Sequence, residues 1–286
     1  MKDSVIQYAR EGKEAGERWN RLREALHHII LQELDRQGFF KEACFVGGTA
    51  LRVLFQLDRF SEDLDFSAAP QSTRFQFADH MAALGHALDA FDLSGKVEGL
   101  KKVKTVQSCF VTFSDLPYLA AASPRKNQKL AIKIDVDTRP PPGARDVVSV
   151  VTGLRVYKLR HYDLPSLFAG KMHALLFRQY LKGRDWFDFL WYVGKKVPVY
   201  RIFLQNAVYQ TQGISCQFSV EELRGLLKKK IDGLDYKKLQ QDLTPFLLDA
   251  RSVNLFTPEV LQGAVAQLLV EEGLSSRYGN GSSLVE

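Results

Sequence analysis

Carboxylates alternate with apolar residues at two places in this 286-residue chain, and the alternation restricts what those segments can become. In Asp63-Leu64-Asp65-Phe66, and again in Ile132-Lys133-Ile134-Asp135-Val136-Asp137, the period is two. That is the period of a β-strand with one wet face and one buried face. Asp63 and Asp65 therefore project together, as do Lys133, Asp135 and Asp137, while Leu64, Phe66 and the aliphatics enter a core. Two carboxylates forced side by side repel, and a hard divalent cation such as Mg²⁺ relieves the repulsion. Acids turned outward on a solvated edge strand are the alternative. With Asp135, or Asp137, as a third ligand beside Asp63 and Asp65, two metal ions fit, the arrangement for in-line displacement at phosphorus.

The surrounding sequence reads as an α/β (α+β) N-terminal domain, residues 1–155, followed by a helical domain, residues 156–286. Glu14 to Gln37 carries apolar residues at helical spacing and ends at Gly38. Cys44-Phe45-Val46 is a short buried strand, and Thr49 is placed to cap a helix from Ala50 to Gln56. Helix is expected again from Thr73 to Phe91, one or two strands from Lys96 to Phe113, and a strand from Lys129 to Thr138. Beyond Tyr157 the texture is helical. Asp163 caps a helix with Pro165 in its first turn; it runs to Lys182, Gly183 stops it, and Asp185 opens the next. Further helices are expected at Glu221–Lys230, Tyr236–Leu248 and Pro258–Glu271, with a frayed Ser/Gly-rich end from Ser275.

Charge and cysteine content exclude several classes. A net charge of +6 is mild, but six basic residues and one acid lie between Lys158 and Arg184, which suits a polyanionic ligand. Three scattered cysteines form neither a disulfide framework nor a zinc site. The charged N-terminus lacks the apolar core of a signal peptide, and no stretch reaches the roughly 20 apolar residues of a membrane span. A reduced, cytoplasmic protein is expected, with no membrane or DNA partner.

Phe45-Val46-Gly47-Gly48-Thr49 runs a strand through two glycines into a helix N-terminus, where free N–H groups favour an anion. Gly47, Gly48 and Thr49 are thus candidate phosphate ligands, although such pairs are mostly plain turns. Lys171 and Arg178 stand seven residues apart on one helix face, which suits a triphosphate; a surface stripe on a solvated helix is the alternative. Lys228-Lys229-Lys230 and Lys237-Lys238 read as solvated helix faces or as an RNA track.

Gly-Gly-Thr, then Asp-x-Asp, then Ile-Asp-Val resembles the polymerase-beta-like nucleotidyltransferase superfamily. Gly47-Gly-Thr-Ala-Leu51 with Arg59-x-Ser61-x-Asp63-Leu-Asp65-Phe66 is similar, more narrowly, to the AbiEii/AbiGii abortive-infection toxins, a group that includes the mycobacterial MenT toxins. Lys171 to Arg178 and Arg184-Asp185-Trp-Phe-Asp188 extend the resemblance into the second domain, so that it covers half the chain. It implies a polymerase-beta-like core with a mixed sheet, a Mg²⁺ (or Mn²⁺) cofactor, and an NTP substrate. It also implies nucleotidyl transfer to an RNA acceptor, the tRNA 3′ end, within a type IV toxin–antitoxin system. The same match brings in Arg59 and Ser61 as nucleotide ligands, and Lys171 and Asp185 as catalytic residues beside Asp63 and Asp65. From spacing alone Asp185 either orients Lys171 and Arg178 or caps its helix. Two rival readings are a nucleotidyltransferase acting on a protein (AMPylation) or small molecule, and a non-catalytic nucleotide- or RNA-binding module.

Overall fold

The computed structural model describes residues 1–69 and 75–271. Two N-terminal helices, α1 (Lys2–Arg10) and α2 (Ala15–Arg36), lead into β1 (Ala43–Val46), α3 (Gly47–Phe55) and β2 (Leu64–Ala68). Then follow α4 (Phe77–Ala90), β3 (Gly95–Val103), β4 (Val106–Phe113), a one-turn α5 (Leu116–Leu119) and β5 (Leu130–Asp137). β6 (Asp146–Val151) and β7 (Tyr157–Tyr162) complete a seven-stranded mixed sheet of order β3-β4-β5-β2-β1-β7-β6. β2 runs parallel to β5 and β1 parallel to β7, while the other neighbours are antiparallel. This is the expected mixed α/β core.

The two sheet faces are used differently. Phe45, Leu64, Phe66, Cys109, Ile132, Ile134 and Val136 pack on one face against α2 and α4, and Phe39 stands edge-on to Phe66 at 4.9 Å. On the other face, Cys44 and Tyr162 join a second core built from the C-terminal helices. Those are α6 (Leu164–Phe177), α7 (Gly183–Gly194), α8 (Arg201–Gln212), α9 (Val220–Asp232), α10 (Tyr236–Leu243) and α11 (Pro258–Ala266). A two-residue pairing of β8 (Val199–Tyr200) with β9 (Val270–Glu271) ties their ends together. No helix among the described residues is long and apolar enough to cross a membrane.

Several boundaries differ from expectation, each for a local reason. The sheet takes β7 from beyond residue 155, so the helical layer begins at Leu164. Asp163 does cap α6, accepting from Ser166 N at 2.9 Å, but the helix ends at Phe177 because Arg178 is extended (φ −67°, ψ 135°). Gly183 does not stop that helix; it opens the next. A Cβ there would stand 2.4 Å from the Leu239 carbonyl oxygen of α10, so only glycine allows the two helices this close. Thr49 is not a cap either: α3 starts at Gly47 with Val46 as N-cap, and Thr49 lies inside the first turn, 1% exposed. Pro245 ends α10 early in a 3₁₀ turn, and Glu271 leaves α11 to pair in β9. The strands β6 and β7 and helices α1 and α8 had no counterpart in the sequence reading. Thr73 and the segment from Ser275 lie outside the described residues.

Candidate active site

Register places the acids. Across β2 and β5, Asp65 is paired with Asp135, and Ser67 with Asp137. Asp63 lies one residue ahead of β2 and, by the alternation, on the same face. Asp63 and Asp65 line a cleft of about 320 Å³ together with Gly47, Gly48, Lys171 and Lys182. Burial, reinforced by the charges of Asp63 and Asp135, pushes the Asp65 carboxyl up to about 6. Burial and Glu62 likewise raise Asp63. Asp137 is turned to local use, accepting from Arg139 N at 2.9 Å.

The glycines serve the acids as much as any ligand. Gly47 has φ +80°, and a Cβ on it would meet Asp65 Oδ2 at 2.5 Å. A Cβ on Gly48 would meet Arg59 Nη2 at 2.6 Å. Both positions must therefore be glycine for Asp65 and Arg59 to sit where they do, at the first turn of α3, whose free N–H groups remain. The Thr49 hydroxyl is committed: it bonds the Ser61 hydroxyl at 2.8 Å and donates to the Asp63 carbonyl. Thr49 and Ser61 thus lock the segment that carries Asp63.

Five cations stand at the cleft, four of them from α6, α7 and the turn between and Arg59 from the segment before β2, and four of the five are already paired. Lys171 Nζ stands 2.7 Å from both Asp185 Oδ1 and Asp188 Oδ2. Burial opposes its charge, yet Asp185 and Asp188 hold it above the ordinary lysine value. Arg178 pairs with the other oxygen of Asp185. Against burial, Lys171 and Arg178 keep Asp185 below the usual carboxylate range. Arg59, 2% exposed, donates through Nε and Nη2 to the fully buried Asp188 at 2.7 and 2.8 Å. Its guanidinium is a strut between the segment before β2 and α7 rather than a free ligand. Arg184 is paired with Glu62 at 2.7 Å. Lys182 alone of these five has no carboxylate partner among the described residues, and burial, then Arg184, lower its pKa.

Lys182, Asp188 and Glu62 are the members the sequence reading did not assign. Lys182 and Asp188 lay within the basic stretch and the Arg-Asp-x-x-Asp segment, but only the fold reveals which cation is left over.

The donor set fits a hard cation. Asp63, Asp65 and Asp135 are all oxygen donors, and Asp135 Oδ1 is buried with no hydrogen-bond partner among the described residues. The coordination shell is not closed: no three metal-ligating side chains cluster tightly enough among the described residues, and the Lys133 ammonium donates to Asp135 Oδ2.

A mixed sheet that carries carboxylates beneath a helix N-terminus, opposite a cationic wall, is the layout that the sequence resemblance to nucleotidyltransferases implies. The family model described as nucleotidyl transferase AbiEii toxin, Type IV TA system, matches residues 29–262, and the chain belongs to this family. Membership implies an NTP substrate and an antitoxin counterpart. No curated protein matches the chain. Two solved structures from Helicobacter pylori are similar to it, JHP933 and a protein described as a nucleotidyltransferase. Each is 19% identical with a TM-score of 0.48; they cover 85% and 84% of this chain and 90% and 92% of their own.

Proposed function

We propose that the chain is a Mg²⁺-dependent toxin that transfers a nucleoside monophosphate from an NTP to the 3′ end of tRNA in the cytoplasm, releasing pyrophosphate and stopping translation. The observation that carries this reading is the asymmetry of the cleft: among the described residues Asp63 and Asp65 face it without a salt-bridge partner, beside Asp135 and opposite Lys182. Asp63, Asp65 and Asp135 would hold the metal, Asp135 being favoured over Asp137 by its register with Asp65. Bound Mg²⁺ supplies Lewis-acid neutralisation of the phosphates.

The chain's own groups do the rest. N–H groups of Gly47, Gly48 and Thr49 at the start of α3 receive phosphate oxygens. Lys182 supplies a charge not spent elsewhere, and Lys171 and Arg178, pinned by Asp185, set the positive wall that excess phosphate charge meets as the α-phosphorus is attacked. Arg59 acts by holding Asp188, and through it Lys171.

The test is incubation with each labelled NTP and total tRNA, with and without Mg²⁺. Label should enter RNA only with Mg²⁺, and Asp63→Ala should reduce incorporation by at least about 10³-fold. Full incorporation by Asp63→Ala, or label entering protein in place of RNA, overturns the assignment.

A further inference from the structure

The sheet face that carries the acids continues past them, and there no element among the described residues roofs it. In one row stand Val46, Asp65, Asp135, Ser108 and Lys101, on five successive strands. In the next, Lys133 lies beside Phe110 and Phe110 beside Glu98; in the one after, Ala131, Thr112 and Lys96. At the β1 and β7 end this face is covered, since Cys44 and Tyr162 are buried under the C-terminal helices. At the β5, β4 and β3 end it is open among the described residues: Ala131, Lys96, Glu98 and Lys101 are exposed and Phe110 is 37% exposed, while the small Ser108 is buried. β4 itself is firmly seated, because Cys109, Val111 and Phe113 on its reverse are fully buried. Phe110 is therefore a rigidly placed ring on solvent where the alternation would accept a polar residue.

We infer that this open face seats the acceptor, as an unpaired RNA end, with Phe110 stacking on a base and Lys101 and Lys96 meeting phosphates. The inference rests on the nucleotidyltransferase reading given above. Its geometry follows from register. Phe110 is the diagonal neighbour of Asp135, and diagonal neighbours in a sheet stand about 7–8 Å apart, within reach of an aromatic side chain. A base stacked there keeps its chain end near the carboxylates. Aromatic residues on open sheets bind unpaired bases because every base has a π-face, whereas a duplex offers none along its length. Lysines flanking the ring supply the charge complement. Lys133, held by Asp135, is not counted among them. Glu98, directly beside Phe110, opposes phosphate, so the backbone runs past Lys101 and Lys96 on either side of it.

The experiment is fluorescence anisotropy of the full chain with a fluorescein-labelled, twelve-nucleotide single-stranded oligoribonucleotide. Phe110→Ala should weaken binding about tenfold, Phe110→Leu should remain as weak, and Phe110→Trp should restore it, since stacking and not apolar bulk is being tested. Lys101→Ala should lower the slope of log Kd against log salt by about 0.7, the expectation for one lost phosphate contact to a single strand. Glu98→Gln should tighten binding. Wild-type affinity in Phe110→Ala and Lys101→Ala, recovery with Phe110→Leu, or displacement of the RNA by an acidic peptide overturns the inference. The same proteins assayed for label transfer separate the two readings: RNA labelled equally by wild type and Phe110→Ala removes this face as acceptor seat and leaves the enzyme. A wild type that binds the RNA through Phe110 yet labels none of it removes the enzyme reading, and the inference resting on it.

Discussion

The two walls of the cleft are charged in opposite senses and are stabilised in opposite ways. On the helical wall nearly every cation has its own carboxylate: Lys171 has Asp185 and Asp188, Arg178 has Asp185, Arg59 has Asp188, and Arg184 has Glu62. On the sheet wall Asp63 and Asp65 have none among the described residues, and Asp65 is raised by burial and by its fellow acids. The cationic wall is thus a finished structural network that also offers positive potential. The acidic wall is electrostatically incomplete, and what completes it must come from outside. A basic stretch in sequence is therefore a poor measure of available charge: of the five cations at the cleft, Lys182 alone has no carboxylate partner among the described residues.

This difference can be broken from either side. The largest effect is expected on the finished wall. Asp188→Ala strands Arg59 in the interior and leaves Lys171 with Asp185 alone, and removing one partner of a buried ion pair costs about 3–5 kcal/mol. Denaturant unfolding should record that loss, and Asp188→Asn should recover part of it. Lys182→Ala comes next, because Lys182 has no ion-pair partner among the described residues. Its unfolding midpoint should match the wild type, while KM for the NTP rises about tenfold. A fall in stability without a change in KM would place Lys182 in the structural network instead. The smallest effect is expected of Lys133→Ala. Freed of its ammonium, Asp135 should bind Mg²⁺ about threefold to tenfold more tightly, read by calorimetry.

The pieces legible in the sequence are those set by short-range periodicity. The period-two acids gave β2 and β5 their inward and outward faces, and the Asp163-Leu164-Pro165 start gave α6 its cap. What was not legible depends on groups distant in sequence. Gly183 looks like a helix stop until α10 is packed against it, and Thr49 looks like a cap until Ser61 and the Asp63 carbonyl claim its hydroxyl. Arg59 reads as a phosphate ligand because nothing in its neighbourhood suggests a carboxylate 129 residues on. β7 was missed because its Lys158 and Arg160 were counted as part of a basic stretch, when the alternation of Tyr157, Leu159 and His161, all buried, marks a strand.

The most direct test of an incomplete acidic wall is thermal unfolding of wild type and Asp65→Asn, in EDTA and then in Mg²⁺. Asp65 has a folded pKa near 6, above its ordinary 3.8. The metal-free protein therefore loses stability as pH rises from about 4 to 6 and carries the full penalty above that. The penalty is on the order of 3 kcal/mol. At pH 7.5 in EDTA, Asp65→Asn should accordingly melt several degrees higher than wild type, and Mg²⁺ should raise the wild-type midpoint while leaving the variant nearly unmoved. A wild type at least as stable as Asp65→Asn in EDTA, or an equal response of both to Mg²⁺, would contradict the account.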